Sequence, residues 1–60
     1  MAMAPNILIV DDHPLFRDAL ETALSRATHG AAQAVHAGSI QQALDRTQQH
    51  EFHLVLLDLN

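Results

Sequence analysis

The strongest constraint on this chain lies in residues 7–12, Ile-Leu-Ile-Val-Asp-Asp. Four apolar residues run without polar alternation into two adjacent carboxylates, Asp11 and Asp12. A short unbroken apolar run reads as a strand buried on both faces. The acids then fall where that strand ends. In open α/β sheets, ligands bind just beyond the carboxyl ends of the strands. The same pattern returns as Leu54-Val55-Leu56-Leu57-Asp58. Two core strands would each deliver negative charge to one rim, and the chain between them has to bring Asp58 beside Asp11 and Asp12.

That intervening chain carries helix signals in the right places. Pro14 follows His13, and proline is well placed in a first helical turn because its missing N–H would have no partner there. Leu15, Phe16, Ala19, Leu20, Ala23, Leu24 and Ala27 form one apolar stripe at helical spacing. Arg17, Asp18, Glu21, Thr22, Ser25 and Arg26 are expected on the other face. A helix over residues 14–27 follows, with Gly30 supplying the left-handed residue that stops it. A weaker, alanine-rich strand lies within residues 31–37, as suits a sheet edge. Ser39 and Gln42 fit a capping box for a second helix reaching about Gln49, with a thin apolar stripe of Ile40, Ala43, Leu44 and Thr47. The last strand begins at Phe52 or His53 and ends at Leu57. Strands alternating with helices imply a parallel sheet with right-handed crossovers, so the fold class is α/β, ordered β-α-β-α-β.

Composition removes several function classes. The net charge is −4, with Arg17, Arg26 and Arg46 the basic residues and no lysine. Such a chain offers no basic stripe to a phosphate backbone, so direct nucleic-acid binding is not expected. No apolar run approaches membrane-spanning length. The absence of cysteine excludes disulfides and thiolate metal sites, and fits a cytoplasmic protein. The first five residues lack a basic segment ahead of an apolar stretch and read as a loose tail rather than a secretion signal. His50 and His53 straddle a helix-to-strand turn without further ligands, so zinc is not expected there. Ser25, Ser39 and Thr47 lack the neighbours that activate a hydroxyl nucleophile. The turn after the first strand is Asp-Asp-His-Pro, not a glycine-rich phosphate loop, which disfavours dinucleotide binding.

Three converging carboxylates repel one another, and either raise their pKa values or recruit a cation. An all-oxygen, carboxylate-rich site without a full protein cage suits Mg²⁺, which keeps several waters and shares phosphate oxygens. A carboxylate beside such an ion can attack phosphorus. The residues therefore point to an aspartyl-phosphate site.

The run Ile-Leu-Ile-Val-Asp11-Asp12-His-Pro-Leu-Phe-Arg, with the later Leu-Val-Leu-Leu-Asp58-Leu-Asn60, resembles the receiver domain of two-component response regulators. Ala37-Gly-Ser-Ile-Gln-Gln-Ala43-Leu44 is similar to that family's second strand-to-helix passage. The form Asp-Asp-His-Pro-Leu-Phe-Arg most resembles regulators whose output is a helix-turn-helix DNA-binding module. The resemblance implies a flavodoxin-like, doubly wound sheet with strand one between strands two and three. It implies that Asp58 accepts a phosphoryl group from a sensor histidine kinase, that Asp12 binds Mg²⁺ directly, that Asp11 reaches it through water, and that the Asn60 backbone carbonyl is a ligand.

A complete receiver is roughly twice this long. The resemblance places a Ser/Thr switch residue and a lysine, both touching the phosphoryl oxygens, in the half that would follow Asn60. The expectation is thus that residues 1–60 are the N-terminal half of a receiver, incomplete without further strands or a partner chain. The outer edge of strand three would be apolar and unpaired, which invites self-association there. An inactive, self-associating fragment is the competing reading.

Overall fold

The computed structural model describes residues 5–58. The expected loose tail before Pro5, and Asn60, lie outside them. Along the described chain run β1 (Asn6–Asp11), α1 (Pro14–Ala27), β2 (Gln33–Ala37), α2 (Ile40–Gln49) and β3 (Leu54–Asp58). The strands form one sheet in the order β2-β1-β3, with both pairings parallel. This is the expected β-α-β-α-β unit, with the first strand central.

β1 is buried without a break from Ile7 to Asp11, because it is flanked by a strand on each side and covered by a helix on each face. Leu8, Val10 and Ala37 form the core on one face, joined by Val35, Phe52 and Ala43 of α2. The pleat sends His36 to the opposite face from Val35 and Ala37. There it meets Glu21 of α1, at 2.5 Å between His36 Nε2 and Glu21 Oε1. The two helices therefore cover opposite faces, and both lie over β1 and β2.

β3 differs from β1 despite its similar sequence. Neither helix lies over it, and Leu54, Val55 and Leu57 are exposed. A continuous apolar run marks a strand fit for burial on both faces; whether it is covered depends on what packs there. The helices also use less of their apolar stripes than expected. In α1, Leu20 and Leu24 are half-buried while Leu15 and Phe16 face outward. In α2, Ala43 alone of the stripe packs on the core, and Ile40 and Leu44 are exposed.

The punctuation follows the sequence closely. The Ser39 hydroxyl accepts from the Gln42 N–H at 3.1 Å, and the Gln42 side chain reaches back to the Gly38 N–H at 2.8 Å, one residue beyond the cap. At the end of α1 two residues are left-handed, His29 (φ 53°) and Gly30 (φ 79°). The His29 N–H donates to the Arg26 carbonyl, and the Gly30 N–H to the Ser25 carbonyl. This is a complete Schellman closure with histidine where glycine is usual.

Candidate functional site

The carboxyl ends of β1 and β3 lie side by side. The parallel ladder runs from Ile7 opposite Leu54 to Asp11 opposite Asp58, so the last register pair consists of two aspartates. Since side chains alternate along each strand, Asp11 and Asp58 leave the sheet on the same face. Their surroundings differ. Asp11 is buried, at 1% exposure, whereas Asp58 is open to solvent at the rim.

Burial alone would push the Asp11 carboxyl up, because it penalises the charged form. The hydrogen bonds from His13 outweigh it. Asp11 Oδ1 accepts from the His13 backbone N–H at 2.8 Å and lies 2.9 Å from the ring Nδ1. Together with the histidine's charge, these hold the Asp11 carboxyl below its ordinary value.

His13 is the N-cap of α1, yet its side chain does not cap the helix. Its ring turns back to the acids instead, with Nδ1 also 2.8 Å from Asp12 Oδ1. The hydrogen bond to Asp11 raises the His13 pKa first, and the charge of Asp12 adds to it, with smaller help from Asp11 and Asp58. Asp11, Asp12 and His13 thus present ligand atoms within 4.8 Å of one another. The Asp58 carboxylate is not in that group; what joins it to the site is the register of β3.

Whether these residues suit a metal can be judged from the oxygen that is left over. Asp11 Oδ2 is buried and, among the described residues, has no hydrogen-bond partner. Such an orphan normally has an ion or ordered water to satisfy it. With Asp12 half-exposed beside it and Asp58 on the neighbouring strand end, the oxygen donors fit a hard divalent cation that retains part of its water shell. The imidazole Nδ1 now lies between the Asp11 and Asp12 carboxylates, where positive charge is favoured.

Two participants were not foreseen. His13 reads in the sequence as a loop residue or cap neighbour, and its Pro14-linked position gives no hint that the ring folds back. Arg17 reads as part of the solvent face of α1. In the structure it is half-buried, and its Nη1 donates to the Asp11 backbone carbonyl at 2.7 Å. A signal was available: a cation near a helix N-terminus opposes the macrodipole, and the first turn of α1 has no acid to offset it. Of the other candidate histidines, His53 accepts from the Asn6 backbone N–H through Nδ1 at 3.0 Å, and His50 stacks obliquely against Phe52.

Residues 7–60 match the family model described as the response regulator receiver domain. Among curated proteins, the chain is similar to the glycerol metabolism activator of Pseudomonas putida, with 42% identity over 55 residues. The aligned part is 90% of this chain and 24% of that protein, so the chain spans about a quarter of the length of the curated relative. No solved structure matches.

Proposed function

This chain belongs to the response regulator receiver family, and from that membership we propose that it is a phosphoacceptor module of a two-component pathway. Asp58 accepts a phosphoryl group from the phosphohistidine of a sensor histidine kinase. Mg²⁺ would be held by Asp12 directly, by Asp11 through water, by Asp58 and by the backbone carbonyl of Asn60. The Asn60 assignment rests on the resemblance alone.

The observation that carries this reading is the final register pair of the β1–β3 ladder. It sets an exposed carboxylate, Asp58, beside a buried one, Asp11, whose second oxygen has no partner among the described residues. Receiver domains generally bind Mg²⁺ at such an acidic site, and the ion supplies charge neutralisation for the phosphoryl oxygens. The residues divide the remaining work by exposure. Asp58, on the open rim, is accessible to a donor protein, and its carboxylate oxygen forms the new O–P bond as the donor's N–P bond breaks. Asp11 is buried, and its Oδ1 is held by His13, so it shapes the site rather than attacking. The chain acts as acceptor in this transfer, not as an enzyme on a separate substrate.

In this reading residues 1–60 are the N-terminal half of the receiver, and the family's remaining strands, its lysine and its output domain lie elsewhere in the protein. The relative's description as an activator supports a regulatory output, here taken as control of transcription through a DNA-binding domain in the cytoplasm. A second reading, a self-associating unit without phosphotransfer, is favoured by one observation. Among the described residues β3 is paired on one side only, and it exposes Leu54, Val55 and Leu57. On this second reading β3 is the contact in a homo-oligomer of the 60-residue chain.

Acetyl phosphate with Mg²⁺, read by intact-protein mass spectrometry, separates the two. The expected result is the mass gain of one phosphoryl group, lost in Asp58→Asn and in chelator. No gain in a protein that contains the family's lysine would overturn the phosphoacceptor reading.

A further inference from the structure

We propose that Arg17 is a positioning residue for the acidic site, acting through the Asp11 backbone from a niche that Gly38 keeps open. The inference deepens the receiver reading and rests on it for its Mg²⁺ readout only.

Arg17 is the fourth residue of α1, where the helix dipole disfavours a cation. Among the described residues it forms no ion pair that would compensate. Its guanidinium instead crosses the end of β1, donating from Nη1 to the Asp11 carbonyl at 2.7 Å. Its Nε is buried and unpartnered among the described residues. A buried N–H without an acceptor costs free energy, so this placement is not the one that best satisfies the arginine itself.

Gly38 explains how the guanidinium fits. It directly follows β2. A Cβ there would stand 2.9 Å from Arg17 Nη1 and 3.9 Å from Cζ. Gly38 does not have a positive φ, so its backbone conformation does not require glycine. A Cβ would instead take the space in which the guanidinium now sits. Arg17 is thereby wedged between the ends of β1 and β2.

The consequence for the site follows from covalent geometry. The Asp11 carbonyl belongs to the planar peptide that joins Asp11 to Asp12. Fixing that carbonyl fixes the plane, and so the relative directions in which the two carboxylates leave the backbone. It acts where β1 ends and the chain bends at Asp12, the point at which ladder restraint gives out. Arg17 touches neither carboxylate within ion-pair distance. Its effect reaches the site through the peptide.

Arg17→Ala, Arg17→Lys and Gly38→Ala, made in the otherwise intact protein, test this. Mg²⁺ is titrated by calorimetry, and the Asp12 and His13 amides are followed by NMR in metal-free buffer. Circular dichroism checks folding. The possible roles differ in sign. A mere positive charge near the site would repel the ion, so its removal would tighten Mg²⁺ binding. Loss of a positioning partner weakens binding, by about 10-fold on the scale of groups that orient metal ligands. Arg17→Lys keeps the charge and a donor, and recovers part of the loss. Gly38→Ala keeps every charge and collides only with the flexible tip of Arg17; it weakens binding in the same direction and adds nothing on top of Arg17→Ala. Because it leaves the helix intact, it also decides the matter should Arg17→Ala fail to fold. Unchanged or tighter binding in Arg17→Ala, or an additive effect of Gly38→Ala, overturns the proposal. If the parent protein binds no Mg²⁺, the phosphoacceptor reading fails instead. The metal-free spectra then decide: Asp12 and His13 amides displaced in both variants support positioning, and unmoved amides overturn it.

Discussion

Asp11 and Asp58 face each other as the last register pair of a parallel ladder, one buried and one exposed. Two charged carboxylates on neighbouring strand ends repel one another. The pair therefore works against the fold that creates it unless a cation lies between. Asp58→Asn is expected to raise the melting temperature in chelator, since it removes that repulsion. With saturating Mg²⁺ the order reverses, because the parent protein gains more from an ion that its folded state alone binds. Thermal melts of both proteins with and without Mg²⁺ check this. A variant that melts above its parent in both conditions would show that Asp58 takes no part in holding the ion.

The metal-free protein should also carry a pH signature. His13 has its pKa raised above 6.5 on folding. Its contribution to stability is fully present below that ordinary value and is lost as pH rises through the raised one. Asp11 is lowered below 3.8, so its contribution is present above that value and is lost as pH falls through the lowered one. In chelator, stability from this cluster should hold between the two ordinary values, 3.8 and 6.5, and decline on either side. His13→Asn should flatten the alkaline decline and leave melting near neutrality less dependent on pH. An unchanged profile would mean that the His13 ring does not hold to the acids in solution.

The order of elements is legible in the sequence because it depends on local pattern. An unbroken apolar run ending in Asp, a proline after it and a capping box are short-range signals. The sheet order, and with it the placing of Asp58 beside Asp11, follows from the resemblance. Other features depend on what approaches from far along the chain. Arg17 sits on the polar side of its helix by periodicity, but Gly38, 21 residues later, opens a space that draws it inward. The bend of His13 toward Asp11 and Asp12 is set by side-chain electrostatics after the strand has ended, where periodicity carries no information. The exposure of β3 has the same origin: its sequence states what it can bury, and its neighbours decide what it does bury.

The closure of α1 offers a clean measure of backbone conformation. A Cβ on Gly30 would meet nothing within 4 Å, so Gly30→Ala carries no steric clash with the rest of the protein. Its cost arises from the left-handed φ of 79°, and is expected to be about 1 kcal/mol. His29 is also left-handed, at 53°, and bears a β-carbon already. His29→Gly should therefore stabilise the protein or leave it unchanged, whereas His29→Val, with a branched β-carbon, should destabilise it. Chemical denaturation of the three variants tests the assignment. Equal destabilisation by His29→Gly and His29→Val would point to a contact made by the histidine ring instead.

The exposed strand makes the last prediction. β3 offers one unpaired backbone edge, and its two faces carry Leu54 on the side of α1 and Val55 and Leu57 on the side of α2. Unpaired apolar edges recruit other strands, and a lysine placed on one opposes this by requiring its charge to stay solvated. Leu57→Lys should reduce self-association of the 60-residue chain, because Leu57 is 62% exposed and supports no core contact that the charge would disrupt. Leu8→Ala is the counterpart: it empties a fully buried position and should destabilise the fold by about 2–5 kcal/mol. Light scattering combined with calorimetry separates the two effects. Leu57→Lys should lower the scattering mass while keeping a cooperative transition, and Leu8→Ala should weaken or abolish that transition. A chain already monomeric at high concentration, with a cooperative melt, would remove β3 as an interface and leave its apolar side chains simply exposed.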